Sequence, residues 1–357
     1  MKAARVLCRL CAVATVAVLS AACGGGNTPT TPTTPTTTTT TTSSDTLRAA
    51  ASAMGRRVGA AVQSGLLGDS RYSAVVAREF NYLTAENEMK WGPIEATRGI
   101  NNFSGGDAIV AFARSRGMDV KGHALLWHQS LPSWVGGLTG ADLRAAMTSH
   151  IRAVVGHYRG QVHAWDVVNE GVSDDGTGLR DTIFRQQLGD GYIAEAFRLA
   201  READPGALLF YNDYSGEGAG AKSDRIYNLM KSLLAEGVPI DGIGLQMHIS
   251  ANSRQSDANI ASNMRRLAAL GLRVHISEMD VKVNSVAGSI DQQREAQRST
   301  YKSVLSVCLA EPRCEAVTFW GVSDAHTWIT GDTPLLFDAE YVAKPAYTGV
   351  LDAFRGR

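Results

Sequence analysis

Two glutamates carry the strongest chemical signal in this sequence. Glu170 closes the run Val162-His163-Ala164-Trp165-Asp166-Val167-Val168-Asn169, and Glu278 lies within Val274-His275-Ile276-Ser277-Glu278-Met279-Asp280. They are 108 residues apart, so only a tertiary fold can bring them together. Two carboxylates flanking one bond are what glycoside hydrolysis requires: one protonates the departing oxygen, and the other attacks the anomeric carbon or activates water. A lone glutamate at a strand end is ordinarily a solvated or salt-bridged surface group. Here each belongs to an apolar run able to bury its strand on both faces, and a buried carboxylate is costly unless it is paired or used. Residues able to hold a sugar stand beside both: Trp165 and Asn169 near the first, His275 and Asp280 near the second.

Short apolar runs alternate with amphipathic, helix-period segments from Asp45 to Arg357. That alternation is the mark of an α/β protein with a parallel sheet. Strands are predicted over Val58–Val62, Tyr82–Ala85, Val120–Trp127, Val162–Val168, Leu208–Asn212, Ile243–His248, Val274–Glu278 and Ala316–Trp320. Helices are predicted over Ser70–Phe80, Gly106–Arg116, Ala141–Tyr158, Tyr192–Ala203, Lys222–Glu236, Asp257–Leu270, Gln292–Cys308 and Pro345–Phe354. Gly117, Gly237 and Gly271 stand where helices stop and a left-handed residue is wanted. Eight strand and helix pairs imply a single closed (β/α)8 TIM barrel, with its active site at the C-terminal ends of the strands. An open doubly wound sheet is the alternative, but no Gly-x-Gly-x-x-Gly turn follows the first strand.

The barrel makes an internal prediction: polar and aromatic residues should gather at strand ends. Glu86, Asn87 and Lys90 follow the second strand, Trp127 and His128 end the third, and Asn169 and Glu170 follow the fourth. Gln246 and His248 belong to the sixth, Glu278 to the seventh and Trp320 to the eighth. Random surface polarity would not track strand ends in this way.

The N-terminal residues read differently. Residues 1–23 begin with Lys2 and Arg5, run through an apolar stretch from Leu10 to Leu19, and reach Ser20-Ala21-Ala22-Cys23. This is a secretory signal, too short to span a bilayer. It is also similar to a bacterial lipoprotein processing site, with lipid expected on Cys23; plain signal cleavage nearby is the alternative. Residues 24–44 are rich in Gly, Thr and Pro with nothing to bury, which predicts a disordered spacer ahead of a catalytic domain over 45–357. The protein is therefore expected to be exported, either held to the cell envelope through Cys23 or released. In the globular part only Cys308 and Cys314 remain, and an oxidising compartment predicts a disulfide between them. Two cysteines are too few for a metal site, and the histidines lack ligand spacing. The 35 basic and 35 acidic residues balance, which argues against nucleic acid as a partner.

At these residues the chain resembles glycoside hydrolase family 10, the endo-1,4-β-xylanases, from about Leu47 to Phe354. The resemblance rests on six segments in order: residues 84–91 (TAENEMKW), 122–128 (GHALLWH), 165–170 (WDVVNE), 244–248 (GLQMH), 275–280 (HISEMD) and 319–321 (FWG). It implies a retaining hydrolase without a cofactor, acting as a monomer on xylan and xylo-oligosaccharides. Glu170 would be the acid/base and Glu278 the nucleophile. Asn169 would bind the sugar 2-hydroxyl, and His248 with Asp280 would position Glu278 and keep it ionised. Glu86, Asn87, Lys90, His123 and Gln246 would read sugar hydroxyls, and Trp127, Trp320 and Trp328 would wall the cleft. Trp91 and Trp134 are expected in the core instead. Ala124, Met279 and Ala343 depart from the commoner residues, and none is expected to touch a reacting group.

Overall fold

The computed structural model describes residues 45–357. The expected signal segment, the Thr/Pro spacer and Cys23 lie outside the described residues. The strands are β1 (Arg57–Val62), β2 (Tyr82–Ala85), β3 (Asp119–Gly122), β4 (Ala164–Asn169), β5 (Leu208–Asp213), β6 (Gly242–Leu245), a short β7 (His248–Ser250), β8 (Arg273–Lys282) and β9 (Cys314–Phe319). All pair in parallel; β6 pairs directly with β8, and β9 pairs with β1, so eight of them close into the expected (β/α)8 barrel. β7 stays outside this ring and lies along the last residues of β8, with His248 opposite Asp280.

The pattern that builds this fold is plain in β4, where every residue is buried, as a strand covered on both faces by barrel interior and helices must be. The helices bury one stripe each: in Tyr192–Ala203 the buried residues are Tyr192, Ile193, Ala194, Ala196, Phe197 and Ala200. Gly117, Gly237 and Gly271 have φ of +61°, +67° and +91°, the left-handed geometry that a helix stop favours. Gly122 has a different use. A Cβ there would lie 2.2 Å from the Trp165 indole, so the glycine lets β3 and β4 close around that ring.

Three strands differ from expectation. β3 ends at Gly122 rather than Trp127, although Leu125 and Leu126 still donate main-chain hydrogen bonds to Asp166 and Val167 of β4 at 2.9 and 3.0 Å. Residues 124–126 are buried, and hydrophobicity reports burial whether or not a ladder continues. The sixth strand stops at Leu245 because Met247 has φ +66°, a left-handed conformation incompatible with an extended ladder. β8 runs on to Lys282 because β7 gives it a partner beyond the barrel rim. A short helix, Leu47–Ala53, precedes β1 and was not expected. Its Leu47 N–H donates to Glu79 at 3.0 Å, and Arg48 donates to the carbonyls of Ala77 and Arg116, in the segments that lead into β2 and β3. Tyr347, in the helix Pro345–Phe354, donates to Glu79 at 2.9 Å and to the Asp45 carbonyl at 3.3 Å.

Cys308 and Cys314 form a disulfide, with Cα atoms 5.3 Å apart, and join the helix Ile290–Ala310 to the first residue of β9.

Candidate active site

A cleft of about 660 Å³ opens at the C-terminal ends of the strands. It is lined by Glu86, Asn87, Lys90, His123, Trp127, Asn169, Glu170, Gln246, His248, Glu278, Trp320 and Trp328, each singled out from the sequence. Asp280 is fully buried behind this lining. Gln129, Ser130, Tyr214 and Lys282 also line the cleft and were not foreseen. Trp165 and His275 do not belong to it. Both are buried: Trp165 packs near Tyr158, and His275 meets Phe210 and Tyr82 inside the barrel. His275 lies three residues before Glu278, which at about 3.3 Å per residue places it roughly 10 Å deeper. Trp91 is buried as expected and Trp134 is partly buried against the core.

Glu170 follows the last residue of β4 and has φ +59°. A side chain in that region costs roughly 1–2 kcal/mol, and such outliers cluster where a side chain must be aimed. Its N–H donates to the Asn212 carbonyl at 2.8 Å, and its own carbonyl accepts from Arg180 Nε at 3.0 Å. Among the described residues the donors to its carboxylate are neutral: Trp127 Nε1 at 2.8 Å, Gln246 Nε2 at 3.2 Å and Asn169 Nδ2 at 3.3 Å.

Glu278 sits in β8 beside a break in the ladder with β9, and only 4% of it is exposed. Asn212 Nδ2 donates to Oε1 at 2.6 Å, and His248 Nε2 lies 3.3 Å from Oε2. Burial works against its charge, but the attraction of His123 at 4.0 Å, the His248 hydrogen bond and charge, and the Asn212 amide together hold it at about 2. Burial likewise works against a charged His248. The Asp280 carboxylate at 2.8 Å, with Glu278, overrides it and raises the imidazole to about 10. Trp328 Nε1 donates to the same Asp280 oxygen at 2.9 Å, although more than half of Trp328 is exposed. These contacts form a chain of alternating partners from Trp328 through Asp280 and His248 to Glu278.

The opposite wall is also held electrostatically. Lys90 Nζ donates to Asn87 at 2.9 Å and lies 4.6 Å from the Trp127 ring. Burial pushes its ammonium down, against the pull of Glu278, Glu86 and Glu170. Glu86 accepts from Gln63 at 3.1 Å, and burial pushes its carboxyl up. Beneath the cleft, the buried Lys121 and Asp166 form an ion pair at 2.7 Å, and the other Asp166 oxygen lies 3.0 Å from His123 Nδ1, fixing that ring.

A (β/α)8 barrel with two buried carboxylates facing one aromatic-walled cleft is the architecture of a glycoside hydrolase. The glycosyl hydrolase family 10 profile matches residues 46–353. An endo-1,4-β-xylanase of Agaricus bisporus is 39% identical over 305 residues, covering 83% of this chain and 90% of its own. Endo-1,4-β-xylanase B of Thermotoga neapolitana is 41% identical over 287 residues, covering 78% and 82%. The crystal structure of xylanase 10B from Thermotoga petrophila RKU-1 in complex with xylobiose superposes with a TM-score of 0.84 at 40% identity, covering 87% of this chain and 97% of that one. The chain belongs to glycosyl hydrolase family 10.

Proposed function

We propose that this enzyme cleaves internal β-1,4 bonds of xylan by a retaining double displacement, with Glu170 as acid/base and Glu278 as nucleophile. The observation that carries the assignment is the contrast between the two carboxylates. Glu278 is held ionised by His248, His123 and Asn212, as attack on an anomeric carbon requires. Glu170 is hydrogen-bonded by two amides and an indole, with no cation among those partners. Of two carboxylates facing one cleft, the one held ionised suits the nucleophile, which leaves the acid/base part to Glu170. In the first step Glu170 gives its proton to the leaving oxygen while Glu278 bonds to the anomeric carbon. In the second, Glu170 takes a proton from water as the water oxygen bonds to the anomeric carbon and the ester bond to Glu278 breaks, which releases the sugar with its original configuration.

Asn169 is the proposed ligand of the 2-hydroxyl on the sugar being cleaved. Glu86, Asn87, Lys90, His123 and Gln246 are proposed to read the neighbouring hydroxyls. Trp127, Trp320 and Trp328 offer apolar faces to pyranose rings.

Azide trapping tests the two roles. With Glu170→Ala, azide enters from the face normally used by water and gives a β-glycosyl azide. With Glu278→Ala it fills the vacated nucleophile space and gives the α-anomer. The same anomer from both variants would refute the assignment.

Ahead of this catalytic domain, residues 1–23 are proposed as an export signal, with Cys23 lipidated and residues 24–44 as its tether. Two or more acyl chains make anchoring stable. Replacing Cys23 by Ser should release the enzyme from membranes or block processing; mature wild-type protein that is already soluble and begins elsewhere would disprove the anchor.

A further inference from the structure

Beside the cleft, residues 171–182 loop out after β4 and fold back through the bridge between Val172 and Leu179. Arg180 lies in this loop with only 17% of its side chain exposed. Its Nε donates to the Glu170 carbonyl at 3.0 Å. Its terminal nitrogens donate to the Asp174 carboxylate at 2.6 and 3.3 Å and to the Tyr214 hydroxyl at 3.0 Å. The Tyr214 hydroxyl in turn donates to Asp174, closing a three-membered ring of contacts. Tyr214 lines the cleft, and the Lys222 ammonium, itself paired with Asp213 at 2.9 Å, sits 3.5 Å from its ring centre.

One planar guanidinium therefore grips the main chain of Glu170 and an aromatic wall of the same cleft. Arginine suits this task because its fork makes several bonds in fixed directions, which an ammonium cannot do. The left-handed backbone of Glu170 is bonded on both sides, by Asn212 to its N–H and by Arg180 to its carbonyl. A general acid works only within hydrogen-bond reach of the departing oxygen, so aim matters more for Glu170 than charge.

We propose that Arg180 is a positioning residue that couples Tyr214, as a contact for the leaving sugar, to the aim of the Glu170 carboxyl. This rests on Glu170 being the acid/base. A role confined to holding the loop would lower activity on all substrates alike, whereas a role in aiming the acid depends on how much the leaving group needs a proton.

The test compares phenyl xylobioside and xylan, whose leaving groups need protonation, with 2,4-dinitrophenyl xylobioside, whose leaving group does not. Arg180→Ala is expected to lose on the order of 10- to 100-fold in kcat/KM on the first two and less than about threefold on the third. Tyr214→Phe, which keeps the ring, and Arg180→Lys, which keeps the charge, should show the same selectivity with a smaller loss, and they decide the matter if the alanine variant does not fold. Equal losses on all three substrates, or unchanged activity in Tyr214→Phe and Arg180→Lys, would overturn the proposal. Glu170→Ala is run alongside. If that variant lost as much on the dinitrophenyl substrate as on the phenyl one, the acid/base assignment itself would fail and the proposal with it.

Discussion

Asn212 gives Glu278 a hydrogen bond of 2.6 Å, and the same amide nitrogen donates to Asn169 at 2.8 Å. Ser277 holds its other end by donating to Oδ1 at 2.6 Å. The Asn212 side chain fits because residue 244 is glycine, where a Cβ would lie 2.0 Å from that oxygen. Asn212 thus links the carboxylate proposed as nucleophile to the amide proposed to bind the sugar beside it.

Removing this donor should be visible in the pH profile. Glu278 is held at about 2, and a hydrogen bond to a charged group contributes about 1.5–3 kcal/mol. Asn212→Ala should therefore shift the acidic limb of kcat/KM upward by about 1 to 2 pH units. An unmoved limb would show that Asn212 does not help keep Glu278 ionised.

His248 makes the converse prediction about stability. Its pKa is raised from 6.5 to about 10 in the fold, so its contribution is fully present below about pH 6.5 and is lost as pH rises through 10. Glu278 is lowered from 4.5 to about 2, so its contribution is present above 4.5 and is lost as pH falls through 2. Tm of the wild type should decline between pH 6.5 and 10, and His248→Gln should remove most of that decline. The change at stake is on the order of a few kcal/mol. Identical slopes for the two proteins over this window would contradict a charged His248.

Trp127 joins two roles that a substitution can separate. Its ring faces the cleft while its Nε1 donates to Glu170 at 2.8 Å. Trp127→Phe keeps an apolar face and loses the donor, so kcat should fall more than KM rises, by about 5- to 10-fold for a net hydrogen bond of about 1 kcal/mol or slightly more. Trp127→Ala should also raise KM. Steady-state kinetics on a xylo-oligosaccharide distinguishes the two, and a Phe variant changed only in KM would argue against the donor's importance.

The disulfide between Cys308 and Cys314 closes a small loop, for which chain entropy gives about 2 kcal/mol. Cys308→Ala with Cys314→Ala should lower Tm by a few degrees with kcat unchanged, because the bond joins a helix to the start of β9, away from the cleft. Calorimetry on the oxidised and double-variant proteins checks this.

The barrel was legible because its strands are buried on both faces over most of their length and its helices along one stripe, so composition alternates along the chain. Glu170 and Glu278 were legible because a carboxylate in a run that buries its strand is unusual, whereas the cleft tryptophans were assigned to the cleft by the family resemblance: Trp320 is only 7% exposed and Trp328 lies in a loop. Trp165 and His275 were misread because closeness along a strand does not mean closeness in depth. Tyr214 and Arg180 escaped notice for the opposite reason: they lie on loops, where tyrosine and arginine are ordinary and only the folded contacts single them out. Asn212 was visible only as the end of a strand, since nothing in its neighbours reveals that it bridges two others.

The helix Leu47–Ala53 gives the molecule two poles. Its contacts with Glu79, Ala77 and Arg116 place it where the chain enters β2 and β3, whereas the cleft lies where the strands leave the barrel. Among the described residues, this first helix thus lies at the pole facing away from the cleft. A change confined to this helix therefore acts on the closed end of the barrel and can reach the groove only through the strands between them.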